Sequence, residues 1–179
     1  MSNTRQIINI ALVGFMGTGK TSVGRLVADQ LRFSFLDTDQ LIEERAGKSI
    51  RDIFAQEGEA AFREHERSMV AELSARENTV IAAGGGLAVN EENLASLKRH
   101  ALVVCLWATP ETIWERVRNQ THRPLLNDPD PLAKIRQLLT DRQPYYRQAD
   151  VLMNTAVRSV NEVVQQVIHQ FHLMQSTAR

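Results

Sequence analysis

An α/β fold, a parallel sheet with helices on both faces, is what this sequence predicts, and three observations predict it. Short apolar runs alternate with longer segments of helical periodicity along the whole chain. The apolar runs are nearly continuous, as in strands buried on both faces. The first run leads into Gly14-Phe15-Met16-Gly17-Thr18-Gly19-Lys20-Thr21, a turn of the form G-x-x-x-x-G-K-T, and then into a helix.

The elements follow in order. Residues 7–13 form the first strand, and after the turn Val23, Leu26, Val27 and Leu31 fall on one helical face. A second strand, 33–36, ends at Asp37-Thr38-Asp39. A third, 79–82, runs into Gly84-Gly85-Gly86, and a fourth, 101–107, closes at Ala108-Thr109-Pro110. Residues 149–154 form a fifth. Helical patterns occupy 39–46, 50–75, 91–98, 111–118 and 131–148. The last helix follows Arg158, with Val160, Val163, Val164, Val167, Ile168 and Phe171 at helical spacing.

At 179 residues the chain reads as one domain, 1–179, able to bury a real core. Two stretches stand apart from the framework. Residues 49–76 form a long helical insertion, broken near Gly58. Residues 119–131 are polar with prolines at 124, 129 and 131, a connection long enough to act as a lid.

Lys and Arg total 21 and Asp and Glu total 21, so no charge excess favours a nucleic-acid or membrane-surface partner. The single cysteine, Cys105, sits in an apolar run and reads as a packing residue that excludes an internal disulfide. The N-terminus lacks a basic region before a sustained apolar segment, and no stretch approaches the ~20 apolar residues of a membrane span. A cytoplasmic enzyme, and a monomer, is expected.

The turn after the first strand carries the clearest chemistry. Glycines at 14, 17 and 19 let backbone N–H groups curl around a phosphate at a helix N-terminus, where the dipole favours an anion. Lys20 then reaches the β- and γ-phosphates, and the Thr21 hydroxyl ligates Mg²⁺. A nucleoside triphosphate is the expected ligand. In open α/β sheets, ligands sit at the carboxyl ends of strands. There Asp37 and Asp39 can divide the tasks of holding Mg²⁺ and orienting an acceptor hydroxyl. Asp39 also stands where it would simply cap the following helix, and spacing alone leaves the two open. Gly84-Gly85-Gly86 marks a close approach to backbone or else a flexible turn. Arg63 has Glu59 four residues before it, so it and Arg142 also fit as solvated surface residues. Arg123, on the lid, is placed to stabilise charge on a transferring phosphoryl group. No histidine spacing suggests a metal site.

Together these pieces resemble the shikimate kinase family over essentially the whole chain. The motifs in order are the phosphate turn, Asp37-Thr38-Asp39, Phe62-Arg63-x-x-Glu66, Gly84-Gly85-Gly86, Arg123-Pro124-Leu125-Leu126 and Arg142-x-Pro144-x-Tyr146. The resemblance implies a three-layer P-loop kinase fold, with a five-stranded parallel sheet in order 2-3-1-4-5. It implies transfer of the γ-phosphoryl of ATP to the 3-hydroxyl of shikimate, a step towards chorismate and the aromatic amino acids. ATP would be held by Gly14, Gly17, Thr18, Gly19, Lys20, Thr21, Ser22, Arg116, Arg123 and Arg158, with Arg116 and the region around Arg158 flanking the adenine. Mg²⁺ would be held by Thr21 and, through water, Asp37. Asp39 would bind the shikimate hydroxyls as candidate base, beside Lys20 and Arg123 at the phosphate. Arg63 and Arg142 would hold the carboxylate, with Glu66 orienting Arg63, and Gly84, Gly85 and Gly86 would meet the ring substituents. A planar carboxylate suits two arginine forks. Ser159-Val160 stands where some members of the family carry a proline after the position of Arg158.

Two rivals remain on sequence grounds. A kinase resembling gluconate kinase would share the phosphate turn but not the set of Arg63, three glycines and Arg142. A guanine-nucleotide switch would carry N-K-x-D and D-x-x-G tetrapeptides, and neither occurs here.

Overall fold

The computed structural model describes residues 5–120 and 128–177. Five parallel strands form one sheet in the order β2-β3-β1-β4-β5. They are β1 (Asn9–Val13), β2 (Ser34–Asp37), β3 (Thr79–Ala82), β4 (Ala101–Trp107) and β5 (Val151–Asn154). The helices are α1 (Lys20–Leu31), α2 (Thr38–Ala46), α3 (Ile50–Leu73), α4 (Glu91–His100), α5 (Pro110–Val117), α6 (Pro131–Tyr146) and α7 (Val160–Thr177). The central pairings put Ile10 beside Val80 on one side and beside Leu102 on the other.

Because successive strand residues face opposite ways, the continuous apolar runs build two cores. Ile10, Leu12, Leu102, Val104 and Leu106 face α1 and α7, while Ala11, Val13, Val103 and Cys105 face α3 to α6. Burial pushes the Cys105 thiol up to about 12, which leaves it an inert packing group.

The helix on the first face differs from its sequence pattern in one respect. Leu26 is exposed, and the buried stripe is Val23, Gly24, Val27 and Ala28. Small residues bring α1 close to the sheet: a Cβ on Gly24 would lie 2.7 Å from the Phe35 ring. Strand β2 starts at Ser34 because Phe33 instead donates its N–H to the Ala28 carbonyl and packs edge-on against Phe171. Strand β5 starts at Val151 because Asp150 is tied down, accepting from the Val103 N–H and pairing with Arg5 at 2.6 Å.

Helix starts follow their caps. Ser49, Asn90, Thr109 and Asp130 each accept an N–H from the first turn, and Ser159 and Glu162 bond each other's backbone N–H reciprocally. The long α3 does break at Gly58, whose φ of 84° and ψ of 174° suit glycine alone. At the amino-terminal edge of the sheet, buried Asn9 accepts from the Thr79 N–H and donates to the Arg76 carbonyl and His100 Nδ1. That network joins β1 to β3 and to the end of α4, opposite the phosphate turn.

Candidate functional site

A cleft of about 1110 Å³ opens at the carboxyl ends of the strands. Pockets for one small ligand run from roughly 300 to 1,000 Å³, so the space accommodates a nucleotide with a second small molecule. Its wall includes Gly17, Thr18, Gly19, Lys20, Thr21 and Ser22 at one end, with Asp37 beside Thr21, then Asp39, Arg63 and Arg142 at the other, and Arg116 and Arg158 along the side.

The phosphate turn has the backbone its glycines foretell. Gly14, Gly17 and Gly19 have φ of 131°, 73° and 97°. At Gly14 the reason is packing as well, since a Cβ would lie 2.1 Å from the Leu106 carbonyl oxygen. Thr18, fully buried, donates its hydroxyl to the Phe15 carbonyl at 2.8 Å. Lys20 Nζ donates to the Gly14 and Phe15 carbonyls at 2.9 and 2.8 Å, curling back over the turn. Arg116 closes the turn from the side, donating to the Gly17 carbonyl and to both the hydroxyl and the carbonyl of Thr155.

At the end of β2 the structure separates the two aspartates. Asp37, not Asp39, caps α2, accepting from the Asp39 and Gln40 N–H groups. Its other carboxylate oxygen accepts from the Thr21 hydroxyl at 2.9 Å, so the two candidate metal residues do meet. Asp39 lies in the first turn of α2, where the helix dipole favours a carboxylate.

The glycine triplet explains where that carboxylate goes. A Cβ on Gly84 would lie 2.1 Å from Asp39 Oδ1, and one on Gly86 would lie 2.5 Å from Arg63 Nη1. Two of the three glycines therefore leave room for site side chains 45 and 23 positions before them in sequence. Gly84 is further pinned by its N–H to the Thr38 hydroxyl. The Gly85 carbonyl accepts from Arg142 Nη1 at 3.1 Å and from the Tyr146 hydroxyl at 2.7 Å.

Arg63 is held by two carboxylates. Its Nη1 bonds Glu66 at 2.6 Å, and its Nε and Nη2 bond Glu59. Glu66 is buried and Glu59 exposed. Burial pushes the Glu66 carboxyl above the ordinary carboxylate range, an effect that Arg63 opposes and the nearby Asp39 charge reinforces. Both partnerships foreseen for Arg63 are thus present at once.

Several cleft residues carry no signal of a site in the sequence, Ile50, Phe54 and Thr155 among them. Ile50 and Phe54 line it from the first turns of α3, and Thr155 from the turn after β5. Ile50 and Phe54 stand four apart on a helix face, a signal shared by ordinary core residues. Arg123 and residues 121–127 of the expected lid lie outside the described residues. Among the described residues, no three of His, Cys, Asp and Glu cluster as a metal site. No helix there is long and apolar enough to cross a membrane.

The comparisons with known proteins agree on one family. The family model described as shikimate kinase matches residues 16–172. The shikimate kinase of Symbiobacterium thermophilum is 48% identical over 164 residues, which are 90% of this chain and 94% of that one. A solved shikimate kinase from Acinetobacter baumannii, in complex with shikimate, superposes with a TM-score of 0.87 at 38% identity, covering 93% of each chain. A gluconokinase from Sinorhizobium meliloti superposes over 97% of both chains with a TM-score of 0.62, but at 16% identity that likeness is one of fold alone. With the phosphate turn, the buried Glu66–Arg63 pair and the glycine triplet on one cleft, and with identity extending over nine-tenths of the chain, this protein belongs to the shikimate kinase family.

Proposed function

We propose that the two ends of this cleft divide the family's reaction between them, one end holding ATP and the other holding shikimate. The reaction is transfer of the γ-phosphoryl of ATP to the 3-hydroxyl of shikimate, giving shikimate 3-phosphate and ADP, a step of aromatic amino acid biosynthesis. The single observation that carries the division of labour is the glycine triplet, which makes room for Asp39 and Arg63 and offers a carbonyl to Arg142.

At the nucleotide end, the backbone N–H groups of residues 17–22 surround the phosphates and Lys20 turns from the turn's carbonyls to a phosphate oxygen. Arg116 and Arg158 flank the adenine. Thr21 and Asp37 fit a hard cation: their oxygens are 2.9 Å apart, and Mg²⁺ takes few protein oxygens besides water and phosphate. When bound, Mg²⁺ neutralises charge on the phosphate oxygens.

At the acceptor end, Arg63 and Arg142 receive the carboxylate. The Nε–Nη2 edge of Arg63 now rests on exposed Glu59, a partner that a substrate carboxylate replaces while buried Glu66 keeps hold of Nη1. Asp39 accepts the proton of the 3-hydroxyl as its oxygen bonds to phosphorus, and ADP departs with the electron pair of the broken bond. Residues 119–131 act as a lid that carries Arg123 to the phosphates and excludes water. The chain works as one domain, 1–179, in which 49–76 is the substrate-binding insertion. It works as a cytoplasmic monomer without nucleic-acid or membrane partners, a reading supported by its balanced charge and its buried, unreactive thiol.

Glu66 gives the acceptor end a pH dependence. Its carboxyl is raised above the ordinary range, so it takes up a proton earlier than a free glutamate as pH falls. A protonated Glu66 no longer charges its bond to Arg63, and the expected result is a shikimate KM that rises on mild acidification while the ATP KM stays level. For folding the sign is the opposite: a raised carboxyl contributes stability when protonated, which is lost as pH rises through its folded value. Glu66→Gln is therefore expected to remove the acid limb of the KM profile without lowering Tm at neutral pH. A Glu66→Gln enzyme with an unchanged profile contradicts this.

An ADP-release assay against shikimate, quinate, gluconate and no acceptor tests the function. ADP is expected with shikimate and at background level without an acceptor. Equal release with gluconate, or release that needs no acceptor, contradicts it.

A further inference from the structure

Phe15 occupies one of the unspecified positions of the phosphate turn, yet its side chain is only 1% exposed. Its carbonyl oxygen accepts from the Thr18 hydroxyl and from Lys20 Nζ, each at 2.8 Å. Its ring lies against Arg142, whose Cζ is 5.3 Å from the ring centroid, within the ~6 Å reach of a cation–π contact. Arg142 is held on another side by the Gly85 carbonyl at 3.1 Å. Gly85 in turn lies against the phosphate turn: a Cβ on it would stand 3.6 Å from Arg142 Nη1 and 3.7 Å from the Met16 amide nitrogen. One residue thus touches a lysine at the nucleotide end through its backbone and an arginine at the acceptor end through its side chain.

We infer that Phe15 is a positioning residue that couples the two ends of the cleft, holding Lys20 through its carbonyl and Arg142 through its ring face. The inference rests on Arg142 receiving the shikimate carboxylate. A nucleotide that draws Lys20 to its phosphates takes a hydrogen bond from the Phe15 carbonyl. The ring of the same residue carries that change to the guanidinium. The coupling is reciprocal, so shikimate on Arg142 tightens the nucleotide site by the same factor. Arg63, held by Glu59 and Glu66 on its own helix, has no such tie to the turn among these contacts.

The test measures shikimate and ADP affinities by titration calorimetry, each with and without the other ligand and with Mg²⁺ present. The proteins are wild type, Phe15→Leu, Arg142→Gln and the double variant. Leucine keeps the site apolar and removes the ring face. Phe15→Met serves in its place where Phe15→Leu does not fold, and thermal unfolding checks each protein. Phe15→Leu is expected to weaken shikimate about 3- to 30-fold, the worth of a partly desolvated cation–π contact. ADP alone should bind within about two-fold of wild type, and the mutual tightening of the two ligands should shrink towards none. In the Arg142→Gln background the same change should weaken shikimate less than about two-fold. Equal weakening of both ligands, or an undiminished effect without the arginine, makes Phe15 a core residue only and overturns the inference. So does wild-type shikimate affinity in Phe15→Leu where Arg142→Gln loses it, and that outcome leaves the carboxylate assignment standing. Wild-type shikimate affinity in Arg142→Gln overturns the carboxylate assignment and the inference with it.

Discussion

Lys20→Met is expected to lower kcat by about 10³ or more while leaving the fold intact. The lysine's place at the mouth of the phosphate turn makes it the cation nearest the transferring group in our proposal. Its removal takes a positive charge from a site built to stabilise developing negative charge. The fold survives for a local reason. Lys20 donates to the Gly14 and Phe15 carbonyls at the wall of an open cleft, where water can replace it, and Phe15 keeps the buried Thr18 hydroxyl. Methionine retains most of the stem's apolar contact. Activity in saturating ATP and shikimate, with circular dichroism and Tm on the same preparation, checks this. A folded Lys20→Met protein with near-wild-type turnover contradicts the assignment of the phosphate turn.

Asp39→Asn is expected to lower kcat by about 10²–10⁴, the usual worth of a positioned general base. ATP affinity should hold, because Lys20, Thr21 and the glycine backbone are untouched. Shikimate affinity should fall, since an amide oxygen is a poorer acceptor for a hydroxyl than a carboxylate. The structure sharpens this test by assigning the helix cap to Asp37, so substitution at 39 removes no cap. A companion variant acts on the same carboxylate from the other side. In Gly84→Ala the new methyl would stand 2.1 Å from Asp39 Oδ1, and the carboxylate must turn away. Both variants should show low kcat with preserved ATP binding and a Tm close to wild type. Wild-type turnover in folded Asp39→Asn removes Asp39 from the chemistry and leaves Asp37 as the carboxylate to consider.

The framework was legible because each buried strand is a compact apolar run and every α-helix start after α1 carries its own capping side chain. Strand β4 and helix α7 are cases in point, and Gly58 announced the break in α3. Element ends were less legible where a tertiary contact decides them, as with Phe33 on Phe171 or Asp150 on Arg5. In the site, the residues with local motifs line the cleft, namely the phosphate turn and Asp37 beside Thr21, and so do Arg63 and Arg142, which spacing alone also fitted to a solvated surface. What spacing could not reveal was reciprocity across the fold. Nothing near Gly84 or Gly86 in sequence says that their missing side chains make room for Asp39 and Arg63. That follows only once β2 and β3 lie side by side, with Asp37 opposite Ala82. Spacing left the cap of α2 open, because a carboxylate at 37 or 39 suits that helix start, and the fold gives the cap to Asp37. Phe54 and Thr155 carried no motif at all.

The most direct measurement of the central claim is a crystal structure of the protein with shikimate, Mg²⁺ and a non-hydrolysable ATP analogue. The account expects the shikimate carboxylate between Arg63 and Arg142, with Glu59 displaced and Glu66 retained. It expects the 3-hydroxyl within about 2.6–3.2 Å of an Asp39 oxygen and directed at the γ-phosphate. A carboxylate bound away from both arginines, or a 3-hydroxyl out of reach of Asp39 in that ternary complex, contradicts it.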